Sequence, residues 1–354
     1  MKEYWSKRAR DLVPYTPGEQ PRQRNWIKLN TNENPYPPSQ KALAAIRAAA
    51  GETLRRYPDP ECTSLREALA ATFDLKPAQV FVGNGSDEVL ALCFQAFFDP
   101  ERTILFPDVT YSFYPVFADL YGLSYREVPL DERFGLPLES FVGDNGGVVI
   151  ANPNAPTGRA VSLCDIRTLL EGNPESVVIV DEAYVDFGAQ SAVPLIDSYP
   201  NLVVVQTMSK SRALAGLRVG FALGNENLIA ALNSVKNSFN SYTLDRLALA
   251  GAEGALRDGD YLRAITMKIS STRDWAADRL KRMGFEVSDS AANFLFISHP
   301  DIPAKVLLDG LREWGILVRW WDKPRISNYL RITVGTDQEM EALCQALTQM
   351  IEGA

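Results

Sequence analysis

Two apolar runs in this chain end in groups that could do chemistry together. Leu202 to Val205 leads into Gln206-Thr207-Met208-Ser209-Lys210, and Val177 to Val180 leads into Asp181-Glu182-Ala183-Tyr184; Arg218 follows soon after the lysine. A carboxylate at the end of an apolar run is disfavoured unless something pairs with it. Facing a ring nitrogen, it would keep that ring protonated and make it an electron sink. A lysine amine would hold a carbonyl covalently and shuttle a proton once displaced. Add hydroxyls and an arginine for a phosphate, and these are the requirements of pyridoxal chemistry. A buried Asp–Lys ion pair would explain the two residues alone equally well. It is the ordered set of motifs around them that favours chemistry.

The first of those motifs is Gly83-Asn84-Gly85-Ser86-Asp87-Glu88, between an apolar run and an apolar helical stretch. Glycines allow close approach of the backbone, and the free N–H groups of a helix start bind anions. An ordinary turn with Ser86 as helix cap would read the same way. Arg218, in Gly216-Leu217-Arg218-Val219-Gly220, could complete a phosphate site or be a surface charge. The second motif, Asn152-Pro153-Asn154-Ala155-Pro156-Thr157-Gly158, follows the run Val148–Ala151. Its prolines and glycine fix a rigid turn that places amide side chains at a strand end, or simply make a tight loop.

Composition narrows the remaining classes. The chain has 354 residues, enough for roughly two domains at ~150 residues each. Its formal net charge of −8 argues against nucleic acid or an anionic membrane as main partner. The first 28 residues are a basic exception, readable as a solvated arm or as one folding over an anionic substrate. No apolar stretch reaches the ~18 residues of a membrane span, and no secretory leader pattern is present. His299 is the single histidine, which argues against a His-based zinc site or a Ser-His-Asp triad; no metal is expected. Four widely spaced cysteines suit a reducing, cytoplasmic setting.

The elements that must position these groups are legible as strands alternating with helices. The runs Val80–Val82, Thr103–Phe106, Ser124–Val128, Val148–Ala151, Val177–Val180, Leu202–Val205 and Arg218–Leu223 are mostly continuously apolar, as strands covered on both faces should be. They predict an α/β fold with a mostly parallel seven-stranded sheet sandwiched by helices, and ligands on such sheets lie outside the strand carboxyl ends. Beyond it, a helix from about Tyr261 to Met283 stops at Gly284. Strands at Phe285–Val287, Asn293–Ile297, Ile316–Trp320 and Tyr329–Val334, and a last helix opening at Thr336-x-x-Glu339, predict a smaller α+β lobe. We expect an N-terminal arm with part of the small domain at 1–40, a large domain at 41–255 and a small C-terminal domain at 256–354. The proline-rich head should be extended over the small lobe.

Taken jointly, the motifs resemble the fold-type I pyridoxal-phosphate aminotransferases, and more narrowly the histidinol-phosphate aminotransferases. The resemblance rests on Leu29-Asn30-Thr31-Asn32-Glu33-Asn34-Pro35, Arg56-Tyr57-Pro58, Gly85-Ser86-Asp87-Glu88, Asp181-Glu182-Ala183-Tyr184, Ser209-Lys210 and Leu330-Arg331-Ile332-Thr333-Val334-Gly335, in order along the whole chain. It implies pyridoxal 5'-phosphate as cofactor, Lys210 as the lysine that holds it, Asp181 at its pyridine nitrogen and Tyr184 at its phenolic oxygen. Tyr111 would stack on the ring. The turn at Gly85, Ser86 and Asp87, with Thr207, Ser209 and Arg218, would cradle the phosphate. Tyr57 would reach the phosphate from a neighbouring subunit, making a homodimer, and Tyr15, Arg319 and Arg331 would hold the substrate's anionic group. One guanidinium set could serve phosphate and carboxylate alike.

In one place the sequence departs from the family pattern. The asparagine directly before Pro-Thr-Gly, which bonds the phenolic oxygen, is Ala155 here. Either Asn154 reaches across or Tyr184 acts alone; the reading adopted is Asn154. Trp320-Trp321 could wall a substrate pocket or pack the small lobe. The implied reaction exchanges an amino group between histidinol phosphate and 2-oxoglutarate, giving imidazole acetol phosphate and glutamate, in histidine biosynthesis. An aromatic amino acid aminotransferase, a threonine-phosphate decarboxylase and a non-enzymatic cofactor-binding regulator are the other readings.

Overall fold

The continuous apolar runs become the middle of a seven-stranded sheet. In the computed structural model, which describes residues 4–21 and 26–352, its order is Val80–Asn84, Val219–Gly224, Leu202–Thr207, Val178–Asp181, Gly147–Ala151, Ile104–Pro107 and Tyr125–Val128. Val219–Gly224 runs antiparallel to both neighbours, and the remaining pairings are parallel. The four central strands are buried throughout. Alternate residues along them feed two separate cores: Val178, Val180, Leu202 and Val204 enter one, and Ile179, Val203 and Val205 enter the other. That two-sided burial is why these strands read as unbroken hydrophobic runs.

The small lobe forms a second core around the helix Gly259–Arg282 and an antiparallel sheet ordered Arg319–Trp320, Leu330–Thr333, Phe294–Ser298, Glu286–Val287. The last helix, Asp337–Glu352, opens with the expected reciprocal cap. Thr336 N–H donates to Glu339 Oε2 at 2.7 Å, and Glu339 N–H donates to Thr336 Oγ1 at 3.3 Å.

The expected strand Ile316–Trp320 is in fact two. Ile316–Leu317 pairs in parallel with Ile27–Lys28, while Arg319–Trp320 pairs with Leu330–Thr333. The head therefore supplies a strand to the small lobe, and the chain turns at Val318 from one sheet to the other. Ahead of that strand the arm forms a short helix, Lys7–Asp11, capped by Ser6. The basic positions Lys2, Arg22 and Arg24 of the head lie outside the described residues.

Candidate active site

A cavity of about 410 Å³ opens where the strand ends meet the small lobe. Strand Val178–Asp181 ends on Asp181 at its floor. Strand Leu202–Thr207 delivers Thr207, with Ser209 and Lys210 on the turn beyond. Ser86, Asp87, Tyr111, Tyr184 and Arg218 line it from the large sheet's side, and Tyr15, Arg319 and Arg331 from the arm and small lobe. Twelve sequence-predicted site residues thus converge on one space.

Asp181 is buried, and both its oxygens are engaged. Tyr114 Oη donates to Oδ2 at 2.9 Å, and the Ala183 N–H donates to Oδ1 at 3.2 Å. Burial pushes its carboxyl up to about 6, although those two hydrogen bonds pull the other way. Such a group is poised to accept a cationic partner. Lys210 Nζ lies 5.7 Å from the Tyr184 ring centre and donates to the Thr31 carbonyl at 3.3 Å. Tyr184 is braced edge-on by Phe294 at 5.0 Å between ring centres.

The helix Gly85–Phe97 begins with no side-chain cap, so Ser86 does not fill that part and the first-turn N–H groups remain for an anion. Two glycines make this corner possible. Gly85 has φ +81°, and a Cβ there would lie 2.5 Å from the Arg218 guanidinium; at Gly220 one would lie 2.3 Å from the Ser86 nitrogen. Arg218, itself left-handed at φ 55°, pairs with Asp87 Oδ2 at 3.2 Å. Asp87 Oδ1 accepts from Tyr111 Oη at 2.7 Å. Burial, with Asp87 beside it, raises the Tyr111 hydroxyl well above the ordinary tyrosine range. Thr207 and Ser209 bond each other at 2.9 Å beneath.

On the opposite wall Arg331 donates to the Asn30 carbonyl at 2.9 Å, while its buried Nε has no partner among the described residues. Burial holds this guanidinium below the usual arginine range. Arg319 donates to the carbonyls of Thr16 at 3.0 Å and Pro17 at 3.3 Å, pinning the arm. Trp321 lies under both guanidiniums, 5.4 Å from Arg319 and 5.1 Å from Arg331, whereas Trp320 packs into the small-lobe core. Trp321 thus backs the two guanidiniums without lining the cavity itself. Of the arm, Tyr15 and Gly18 line the cavity and the basic side chains Lys7, Arg8 and Arg10 do not.

Of the three other predicted residues, Gly85 forms the turn just before Ser86, and two fall elsewhere. Asn154 does not reach the cavity, which corrects the expectation that it replaces the missing asparagine. Its Nδ2 donates to the Val109 carbonyl at 2.9 Å and to Thr157 Oγ1 at 3.0 Å, and its Oδ1 accepts from Thr110 at 2.7 Å. The loop turns here, with Gly158 N–H donating to the Asn154 carbonyl at 2.7 Å, and the neighbour Ala155 lines the cavity instead. Tyr57 is 78% exposed, stacked on Tyr242 with ring centres 4.7 Å apart, away from its own cavity. Two further residues were not foreseen: Tyr114, which braces Asp181, and Asn32, whose Nδ2 donates to Tyr184 Oη at 2.9 Å. Asn32 lies in the segment Leu29–Pro35, whose sequence alone assigns it no role.

The donor set fits pyridoxal 5'-phosphate: an acid for a ring nitrogen, an amine for an aldehyde, and an uncapped helix start with hydroxyls and an arginine for a phosphate.

Comparison with known proteins agrees with that set. The family model of class I and II aminotransferases matches residues 24–347. The chain is 55% identical over 353 residues to a histidinol-phosphate aminotransferase of Methylococcus capsulatus, covering 100% of this chain and 99% of that one. It is 51% identical to one from Clostridium beijerinckii, covering 98% and 97%. Among solved structures it is similar to the histidinol-phosphate aminotransferase of Sinorhizobium meliloti in complex with pyridoxal-5'-phosphate, with TM-score 0.83, 27% identity, and 92% and 91% of the two chains covered.

Proposed function

The chain belongs to the class I and II aminotransferases, and within them to the histidinol-phosphate aminotransferases; from that membership and the site we propose that it transfers an amino group between histidinol phosphate and 2-oxoglutarate, yielding imidazole acetol phosphate and glutamate. The observation that carries this reading is a single cavity with an amine and a buried acid at its floor and two guanidiniums on its far wall. Pyridoxal 5'-phosphate, when bound, supplies an aldehyde to receive the amino group and a cationic ring to draw electrons from the substrate carbon. Every other part falls to the chain.

Asp181 would hold a proton on the ring nitrogen. A cation beside it offsets the desolvation that raises its carboxyl, so it stays ionised while paired. Lys210, once displaced from the aldehyde, is the group placed to take a proton from one carbon and return it to another. The uncapped helix start, Ser209, Thr207 and Arg218 would bind the phosphate, with Arg218 exchanging Asp87 for it. Arg331, half-buried and with no partner for Nε among the described residues, and Arg319 beside it would hold the anionic end of each substrate in turn, phosphate in one half-reaction and carboxylate in the other. Tyr15, stacked on Phe113 at 4.2 Å, closes the cavity from the arm.

The reading extends to assembly as a homodimer. Tyr57 and Tyr242 form an exposed aromatic pair, and Leu54 and Phe239, 52% and 75% exposed, stand near them in sequence. A second copy covering this face would hide these side chains and could carry Tyr57 to the partner's phosphate site. The large domain 41–255 would then serve the cofactor, and the arm 1–40 with the small domain 256–354 the substrates. A cytoplasmic location accords with four cysteines that form no disulfide; no helix of the described residues is long and apolar enough to cross a membrane.

The test is a comparison of amino donors and acceptors on cofactor-loaded protein. Glutamate formation from histidinol phosphate and 2-oxoglutarate should far exceed turnover with phenylpyruvate as acceptor. Carbon dioxide release from threonine phosphate, or no turnover of histidinol phosphate, would overturn the assignment.

A further inference from the structure

We infer that Asn32 is a positioning residue: it turns the Tyr184 hydroxyl proton into the cavity, in place of the amide that Ala155 lacks. The surroundings of Asn32 fix which way its amide points. Asn32 is fully buried in a left-handed conformation, φ 54°, which asparagine tolerates better than most residues. Its N–H donates to Thr333 Oγ1 at 2.9 Å, so that hydroxyl's own proton is free to be donated, and it goes to Asn32 Oδ1 at 3.1 Å. The Asn32 carbonyl accepts from Asn293 Nδ2 at 3.1 Å. With Oδ1 committed to Thr333, the other end of the amide, Nδ2, faces Tyr184 Oη at 2.9 Å and can only donate.

That fixes the phenol. Tyr184 Oη accepts a hydrogen bond from Asn32 and keeps its own proton for another acceptor. Tyr184 lines the cavity, as do Asn32 and Ala155, and the side chain at position 155 has no polar atom to offer. A cofactor oxygen on this side of the cavity would therefore depend on one donor, Tyr184, whose direction Asn32 sets. Thr333 lies two residues after Arg331 on the strand Leu330–Thr333, so the element that presents the substrate's guanidinium also anchors the asparagine. A shift of that strand when Arg331 meets an anion would reach Tyr184 through Asn32.

The inference rests on pyridoxal phosphate binding in this cavity, and its test separates the two claims. Protein loaded with pyridoxal 5'-phosphate is titrated with pH while the visible absorbance of the bound cofactor is followed, and the cofactor dissociation constant is measured alongside. A donor to the phenolic oxygen favours its ionised form, so Asn32→Gly, which keeps the left-handed backbone, should raise the titration midpoint by about one unit. Tyr184→Phe should raise it too, and the double variant should go no further, since Asn32 acts through the hydroxyl. Ala155→Asn in the Asn32→Gly background should bring the midpoint back. If Asn32→Gly does not fold, Asn32→Asp retains the acceptor for Thr333 while its carboxylate draws the Tyr184 proton out of the cavity, and the midpoint should again rise. An unmoved midpoint in a folded, loaded Asn32 variant, or additive effects of the two substitutions, would overturn the role of Asn32. Failure of the parent protein to take up the cofactor would instead defeat the reading on which it stands.

Discussion

Tyr114 donates its hydroxyl to Asp181 Oδ2 across 2.9 Å, from a ring with no exposed surface. The ring is held edge-on to Tyr111 and Phe106, at 5.7 and 5.9 Å between centres, so the hydroxyl has little freedom to leave the carboxylate. Tyr114→Phe keeps the packing and removes the donor. The Asp181 carboxyl should then rise above about 6, and cofactor affinity should fall about tenfold, the worth of one hydrogen bond to a charged group. Absorbance titration with pyridoxal phosphate measures it; unchanged affinity would mean that Asp181 does not need this brace.

Asp181 should affect stability and binding in opposite directions. Its carboxyl, ordinarily at 3.8, stands near 6 in the fold. Between those values the folded state binds more protons than the unfolded one, so stability of the cofactor-free protein drops as pH rises through that window and stays lower above it. Asp181→Asn should therefore stabilise the cofactor-free protein at pH 8, by on the order of 2–3 kcal/mol, while activity is lost. Thermal melts of both proteins without cofactor, at pH 5 and at pH 8, check the sign. A variant less stable at pH 8 would contradict the buried-charge argument.

Arg218→Gln isolates the phosphate. Among the described residues, the arginine donates to Asp87 and the Ala215 carbonyl. Its loss should weaken pyridoxal 5'-phosphate by one to two orders of magnitude, in line with a charge-assisted contact, and leave unphosphorylated pyridoxal nearly unaffected. Equal weakening of both compounds would place the arginine's effect elsewhere.

How much of this was readable beforehand follows from the physics of each element. The sheet was legible because its strands are buried on both faces: Val203, Val204 and Val205 cannot alternate with polar residues. Asp181 and Lys210 stood out because charge just beyond such runs is expensive without a partner. Asn154 was misjudged because a choice between adjacent residues depends on which way a non-repeating loop turns, and no periodicity reports that. Asn32 and Tyr184 meet across 152 positions of sequence through a left-handed residue. The pairing of Ile27–Lys28 with Ile316–Leu317 joins two strands of two residues each, too short for any pattern.

Arg331→Ala should raise the Michaelis constants for histidinol phosphate and 2-oxoglutarate together, with a smaller change in turnover, since it removes binding shared by both half-reactions. Arg331→Lys should restore little, because a lysine lacks the planar fork that sits against Trp321. Half-reaction kinetics decide: impairment confined to one substrate would mean that the two anions bind at different places.

The most direct test of the central claim is chemical trapping at Lys210. Treating the cofactor-loaded protein with borohydride fixes the aldehyde irreversibly to whichever amine holds it, and peptide mass mapping then locates the mark. We predict a phosphopyridoxyl group on the peptide containing Lys210 and nowhere else, and none in a Lys210→Ala variant. A mark on a different lysine, or none on protein that shows the cofactor's visible absorbance, would contradict the account.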